Sequence, residues 1–120
     1  MIRVLISLLA GIPFMLLSCH HETVVPDYQV SYSNDVSPII IGSCAQVHCH
    51  DATGLEAAPL ANYFDVMNDV VKGKPCKSKL YTALITHSAK KMMPPPSSAQ
   101  LTDQQIQLIY TWIVQGAPDN

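Results

Sequence analysis

Apolar residues along the chain form one continuous run near the start and shorter helical patterns after it. The run, from Val4 to Leu17, is interrupted only by Ser7, and one positive charge, Arg3, precedes it. It is too short to cross a bilayer as a helix, which takes about 20 residues. A short charged start followed by a short apolar stretch is typical of a secretory signal. We therefore predict that this segment directs the chain out of the cytoplasm and does not belong to the fold.

After this run, apolar residues recur three and four positions apart, which predicts four short helices. The first is expected just before Cys44, with Asn34 or Asp35 as its cap. The second is expected from Asn62 to Val71 and the third from Ser78 onward. Their apolar faces consist of Val36, Ile39 and Ile40 in the first, Phe64, Met67 and Val71 in the second, and Leu80, Tyr81, Leu84 and Ile85 in the third.

The last predicted helix has the clearest signals. Thr102 and Gln105 form a capping box at its start, and Gly116 followed by Pro118 ends it. One face carries Ile106, Ile109 and Ile113. The fold class predicted from these patterns is all-α, with a core so modest that a disulfide, a metal or a large cofactor is expected to support it.

Composition and charge narrow the classes of function. A chain of 120 residues that is 48% hydrophobic and 13% charged corresponds to one globular domain and not to a disordered segment. Its formal net charge of −2 argues against a nucleic-acid-binding protein, which needs a basic surface. Neither paired carboxylates nor a nucleophile motif is found, so we do not expect an enzyme and predict no small-molecule substrate.

The apolar run leads through Ser18 into Cys19. Small and apolar residues before a cysteine resemble a bacterial lipoprotein processing site, which implies that Cys19 becomes the N-terminus and carries acyl chains. The alternative is an ordinary signal peptide cut nearby, with Cys19 incidental. We predict a lipoprotein signal peptide over residues 1–18, a tether over 19–31 and a folded domain over 32–120. The domain would be anchored to a membrane of the bacterial envelope, on the extracytoplasmic or periplasmic side.

Two thiols and an imidazole lie close together in the sequence, at Cys44, Cys49 and His50. The signature for attachment of c-type haem is C-x-x-C-H, in which both thiols bond to the porphyrin vinyl groups and the histidine binds iron. Here the spacer has four residues instead of two, and it must loop out for the first thiol to reach its vinyl group. Two alternatives stay open: a Cys44–Cys49 disulfide, or a zinc or copper site that also uses His48.

A second candidate ligand precedes a run of three prolines at positions 94–96. Methionine sulfur is a common sixth ligand of haem iron in electron-transfer cytochromes. Each proline fixes its own φ, so the chain next to such a ligand is stiff. Met93 lies directly before the prolines, Met92 is the alternative, and His87 is a weaker candidate. The competing interpretation is a surface loop whose methionine packs in the core.

The order of these parts resembles class I c-type cytochromes: a short helix, a loop with two cysteines and a histidine, further helices, a methionine–proline loop and a capped last helix. The chain resembles more closely the small bacterial lipoproteins with a cytochrome c-like domain, which have a segment like Tyr32–Ile39 before the cysteines. The resemblance covers roughly Tyr32 to Gly116. It implies a cytochrome c-like fold of about four short helices around a covalently bound haem.

The resemblance also implies a role for each site residue. Cys44 and Cys49 would hold one covalent haem c, His50 would be the proximal iron ligand, and Met93, or alternatively Met92, the distal one. Such a protein carries single electrons to and from redox partner proteins of the envelope. The main alternative is a haem-free envelope lipoprotein, stabilised by a disulfide or a metal site, that acts as an interaction module. Another is an electron-donating accessory subunit of an envelope oxidoreductase.

Two features are not assigned by the resemblance. Cys76 is left over, and in an oxidising compartment it would pair with another cysteine or stay as a free or buried thiol. Lysines cluster around the third predicted helix, where they form either a solvated face or a docking patch for an acidic redox partner: Lys72, Lys74, Lys77, Lys79, Lys90 and Lys91.

Overall fold

A computed structural model describes residues 26–120, so the predicted signal peptide, Cys19 and the first part of the predicted tether lie outside the described residues. Over residues 26–120 the chain is helical and contains no strand, which confirms the all-α prediction for that range. No helix in the range is long and apolar enough to cross a bilayer. The elements are a π-helical turn at Tyr32–Val36, α1 at Ser37–Ser43, α2 at Tyr63–Met67, a 3₁₀ turn at Pro75–Lys77, α3 at Lys79–Ile85 and α4 at Asp103–Val114.

The core is built around Trp112 on α4. Its indole is fully buried, and its ring lies 5.4 Å from that of Tyr32 and 6.3 Å from that of Tyr63. The indole N–H donates to the carbonyl of Pro118 at 2.9 Å, so the polar end of this side chain is satisfied inside the core. The other large side chains that are fully buried are Val30, Val36, Ile40, Val66, Tyr81, Ile109 and Ile113.

Hydrogen bonds join the start of the described chain to its end. The Val30 N–H donates to Gln115 Oε1 at 2.8 Å, and the Tyr32 N–H donates to Asn120 Oδ1 at 2.8 Å. The Ser33 N–H donates to the Asn120 carbonyl at 2.9 Å. Val30, which the sequence assigns to the tether, is fully buried. The folded part of the chain therefore includes Val30, which lies before the predicted start of the domain at residue 32.

Helix α4 begins and ends as the sequence predicts. Thr102 Oγ1 accepts the Gln105 N–H at 3.2 Å, and Gln105 Oε1 accepts the Thr102 N–H at 2.9 Å, which completes the capping box. Gly116, just beyond the helix, has a φ of 96°, which glycine adopts without the steric cost of a Cβ. Ile109 and Ile113 are fully buried on the predicted face.

Helix α2 is shorter than predicted and buries a different face. Asn62 is its cap, as expected, but the helix ends at Met67 and does not reach Val71. Phe64 is 76% exposed and Val71 is 43% exposed, whereas Val66 is fully buried. The predicted face was therefore wrong for Phe64 and Val71, whereas Met67 packs against the core as expected. Val71 lies beyond the end of the helix, so the helical spacing does not place it on the same face.

The start of the first helix differs from the prediction, and the start of the third carries a bond that the sequence does not indicate. The turn that leads into α1 is capped by Ser31, whose hydroxyl accepts the Asn34 N–H, and not by Asn34 or Asp35. Ser78 is at the cap position of α3 but makes no capping bond. Its buried hydroxyl instead accepts the Val71 N–H at 2.9 Å, and it lies 3.0 Å from the Lys74 carbonyl. This hydroxyl stabilises the turn that follows α2.

Candidate functional site

A cavity of about 640 Å³ lies beside α3 and the loops next to it. Volumes of this size are typical of sites that bind cofactors and other small molecules. Four of the residues singled out in the sequence line it together: Cys44, Cys49 and His50 from one short segment, and Met93 from a distant part of the chain. Apolar side chains complete much of the lining, among them Leu60, Leu80, Ala83, Leu84 and Pro94.

The four-residue spacer between the cysteines folds into a closed loop. The Cys49 N–H donates to the Gln46 carbonyl at 2.9 Å, and the His50 N–H donates back to the Cys44 carbonyl at 3.1 Å. His48 adopts a positive φ of 65°, which reverses the chain within the spacer. This reversal lets both thiols and the imidazole of His50 reach the same cavity despite the longer spacing.

The imidazole of His50 is held in one tautomer by the backbone. Its Nδ1 lies 2.6 Å from the carbonyl oxygen of Ala58. Because a carbonyl oxygen only accepts, Nδ1 carries the proton and Nε2 keeps a free lone pair. The His50 carbonyl accepts the N–H of buried Leu60 at 2.9 Å, which ties this segment to the core. Histidines that bind metals are usually oriented by such a bond from the other ring nitrogen.

The two cysteines of the cavity have different surroundings. Both are free thiols, so the Cys44–Cys49 disulfide considered above is not formed in this structure. Cys44 is half-buried and Cys49 is exposed. Burial, with a smaller electrostatic contribution from Cys49, raises the pKa of the Cys44 thiol to about 11. Cys44 is therefore a neutral thiol at neutral pH. Cys76 is disulfide-bonded and does not line the cavity.

The zinc or copper alternative lacks its ligand cluster in the described part of the chain. Such a site needs about four nitrogen, sulfur or oxygen donors around one point. Across residues 26–120, no group of three or more His, Cys, Asp or Glu side chains is placed to hold a metal ion. That range includes the four residues of the alternative: Cys44, His48, Cys49 and His50.

The methionine–proline loop contributes another part of the lining. The Met93 N–H donates to the carbonyl of Ala83 on α3 at 2.9 Å, which fixes the start of the loop. Met93 lines the cavity and is 41% exposed, whereas Met92 and His87 are not among the lining residues. The Met93–Pro94 peptide bond is cis. Of the three candidate distal ligands, Met93 is thus the one that the fold brings to the cavity.

Two contributors to the site were not predicted from the sequence. One is the Ala58 carbonyl, which orients His50. The other is Gln100, whose side-chain amide contacts three carbonyls of the methionine–proline loop. A backbone carbonyl leaves no mark in a sequence, and a glutamine in a polar loop looks like any solvated residue. Only the folded chain indicates their roles.

Charged side chains lie at the edge of the site. Lys79 and Asp69 both line the cavity, with the Lys79 ammonium nitrogen 4.0 Å from the Asp69 carboxylate. The Lys79 side chain is 86% exposed, so this ion pair contributes little to stability. All six lysines of the predicted basic patch are exposed, and one of them, Lys79, lines the cavity.

Comparison with known proteins identifies no relative of this chain. No family model matches it, and neither a curated protein nor a solved structure matches it. The resemblance to cytochromes therefore stays a prediction, and the features of this chain that bear on its function are the cavity and the residues that line it.

Proposed function

We propose that this chain is a c-type cytochrome of the bacterial envelope that carries single electrons through one covalently attached haem. The observation that carries the proposal is the cavity of about 640 Å³ whose lining includes Cys44, Cys49, His50 and Met93. These residues are the two thiols, the imidazole and the thioether that attachment and axial ligation of a haem require. When bound, the haem supplies an iron ion that gains or loses one electron.

The two thiols would hold the haem through thioether bonds. Each S–H adds across a vinyl C=C, with the sulfur bonding to one carbon and the hydrogen to the other, so no group leaves. Cys44 is a neutral thiol at neutral pH, and burial, which raises the pKa of this thiol to about 11, extends that state to alkaline pH. It therefore brings the S–H hydrogen that this addition needs. The hydrogen-bonded loop between Cys44 and Cys49 sets how far apart the two sulfurs can reach.

The axial ligands would come from His50 and Met93. His50 offers Nε2, because Nδ1 is committed to the Ala58 carbonyl at 2.6 Å. Bonds of this kind fix the orientation of histidines that bind metals. Met93 offers its thioether from a loop fixed to α3 through the Ala83 carbonyl. Methionine in place of a second histidine favours the reduced iron and raises the reduction potential.

The proposal extends to anchoring and partners. Acyl chains on Cys19 would hold the domain at the membrane surface, and the tether would let it move between electron donors and acceptors. Acylation uses the sulfur of Cys19, so this part of the proposal requires that Cys19 is not the partner in the disulfide of Cys76. The six exposed lysines, of which Lys79 lines the cavity, fit an acidic redox protein of the envelope. Opposite charges on two proteins speed their encounter and orient one on the other. Exchange of electrons with such a partner should slow as salt is added, because salt screens exposed charges.

The deciding experiment is spectroscopic. Protein isolated from membranes should give a c-type pyridine haemochrome spectrum, and a denaturing gel stained for haem should show a band at the size of the chain. A Cys44→Ala/Cys49→Ala double variant should lose the stained band, because both attachment points are gone. Absence of covalent haem in the unmodified protein, or a retained band in the double variant, would contradict the proposal.

A matched pair of histidine variants tests the proximal ligand. Both His48 and His50 line the cavity, but only the ring of His50 is oriented by the Ala58 carbonyl. His50→Ala should therefore lose the six-coordinate spectrum of the iron, whereas His48→Ala should keep it. The opposite result would assign the ligand to His48.

A further inference from the structure

The side chain of Gln100 joins three backbone carbonyls of the methionine–proline loop. Its Nε2 lies 2.9 Å from the Pro95 carbonyl, 2.9 Å from the Ser98 carbonyl and 3.3 Å from the Pro94 carbonyl. A carbonyl oxygen only accepts, so the NH₂ end of the amide must face all three. Its two protons are shared among them, and one side chain bridges most of the length of the loop.

The loop has few other ways to hold its shape. Residues 94–96 are prolines and have no N–H to donate, so their backbone makes no bond of that kind. The Ser98 N–H closes a turn onto the Pro95 carbonyl at 2.9 Å, and the Met93 N–H fixes the start of the loop to Ala83. Between Met93 and Ser98, the side chain of Gln100 donates to the carbonyls of Pro94 and Pro95.

The geometry points to Gln100 as a positioning residue for Met93. By holding the carbonyls of Pro94, Pro95 and Ser98 together, it keeps the loop in the conformation in which Met93 lines the cavity. The inference rests on the proposed function, in which Met93 is the distal iron ligand. A thioether is a weak ligand, and its hold on iron depends on how little freedom the loop has when the sulfur is released.

The direct test is competition for the iron. Gln100→Glu keeps the shape of the side chain but replaces the N–H donors with an oxygen that repels the three carbonyls. Imidazole should then displace Met93 more easily, and its apparent affinity for the ferric protein should rise about tenfold, which matches the loss of one or two hydrogen bonds. Gln104→Glu makes the same chemical change at an exposed position in the first turn of α4 and should leave the affinity unchanged.

Hydrogen exchange tests the same inference without haem. In haem-free protein, Gln100→Glu should speed exchange of the Ser98 and Met93 amides about tenfold while exchange in α4 stays as it was. Gln100→Ala removes the donors without adding a charge, so it should give the same result if the glutamate variant folds poorly. Thermal unfolding followed by circular dichroism shows whether either variant has lost the fold as a whole.

The outcomes separate the two proposals. If covalent haem is present but imidazole affinity and loop exchange are the same in Gln100→Glu and Gln104→Glu, the role of Gln100 is overturned and the cytochrome proposal stands. If no covalent haem forms but loop exchange is faster in Gln100→Glu, Gln100 orders the loop and the cytochrome proposal fails. If no covalent haem forms and loop exchange is the same in Gln100→Glu and Gln104→Glu, both proposals are overturned.

Discussion

In the haem-free protein, Cys44 should react with alkylating reagents far more slowly than an ordinary thiol. The attacking species is the thiolate, and burial raises the pKa of Cys44 from 9.0 to about 11. At pH 8, a thiol of pKa 9 is about one-tenth ionised and a thiol of pKa 11 only about one-thousandth. We therefore expect the rate for Cys44 to be lower by about a hundredfold.

The dependence on pH distinguishes this cause from simple steric shielding. In the native protein, the rate at Cys44 should rise about tenfold per pH unit from pH 8 and level off only near 11, because the thiolate fraction keeps growing. In urea, the same thiol should level off near pH 9. Shielding alone would lower the native rate at every pH without moving the point at which it levels off.

The same shift links Cys44 to stability. The native chain keeps a proton that the unfolded chain releases above about pH 9, so this contribution to the free energy of unfolding is fully present below 9. It should be lost as pH rises towards 11, by about 1.4 kcal/mol per pH unit at most. Cys44→Ser has no thiol to titrate and should lack this part of the alkaline destabilisation.

The assay is a time course of iodoacetamide labelling, quenched and read by peptide mass spectrometry. Exposed Cys49 in the same sample shows that the reagent is active, and Cys44 in urea gives the reference rate. A native rate at Cys44 that levels off near pH 9, or that lies within about threefold of the unfolded rate at pH 8, would refute the reasoning.

Three further predictions concern the distal ligand, the anchor and the core. Met93→Ala should remove the weak near-infrared band of ferric methionine-ligated haem and let the reduced protein bind carbon monoxide, whereas Met92→Ala should do neither; the reverse pattern would exchange their roles. Mass spectrometry of the mature N-terminus should find acylated Cys19, and a peptide that links Cys19 to Cys76 through a disulfide would contradict acylation, because both use the same sulfur. Trp112→Phe removes a buried indole N–H and leaves its acceptor unpaired, so it should lower the free energy of unfolding by about 2–3 kcal/mol. Urea unfolding would show this as a lower midpoint with an unchanged slope, and an unchanged midpoint would count against the bond to the C-terminal segment.

Local signals in the sequence predicted helix α4 well, because its capping bonds join Thr102 to Gln105, three positions away. The apolar face of α2 could not be found in the same way. The helix ends before the turn in which the Ser78 hydroxyl accepts the Val71 N–H. Ser78 lies seven residues beyond Val71, so the spacing of apolar residues within the helix does not reveal this bond. The same bond explains why Ser78, at the cap position of α3, makes no capping bond.

In the candidate site too, features set by residues close in the sequence could be predicted, and features set by distant contacts could not. The short motif of Cys44, Cys49 and His50 was visible in the sequence, because its residues are close in the chain. That Met93 rather than Met92 lines the cavity depends on how the loop meets α3, which spacing alone does not determine. The tautomer of His50 depends on the carbonyl of Ala58, and every residue type has a carbonyl.

The loop that follows His50 is held by hydrogen bonds between its two ends. His50 binds the Ala58 carbonyl through its ring and the Leu60 N–H through its carbonyl, while Leu55 at the tip is 84% exposed. Neither of the bonds that orient the imidazole passes through the tip, so residues inserted beside Leu55 should leave the ring where it is. This position therefore offers a place to attach a fluorophore or an electrode linker within a few residues of the candidate ligand.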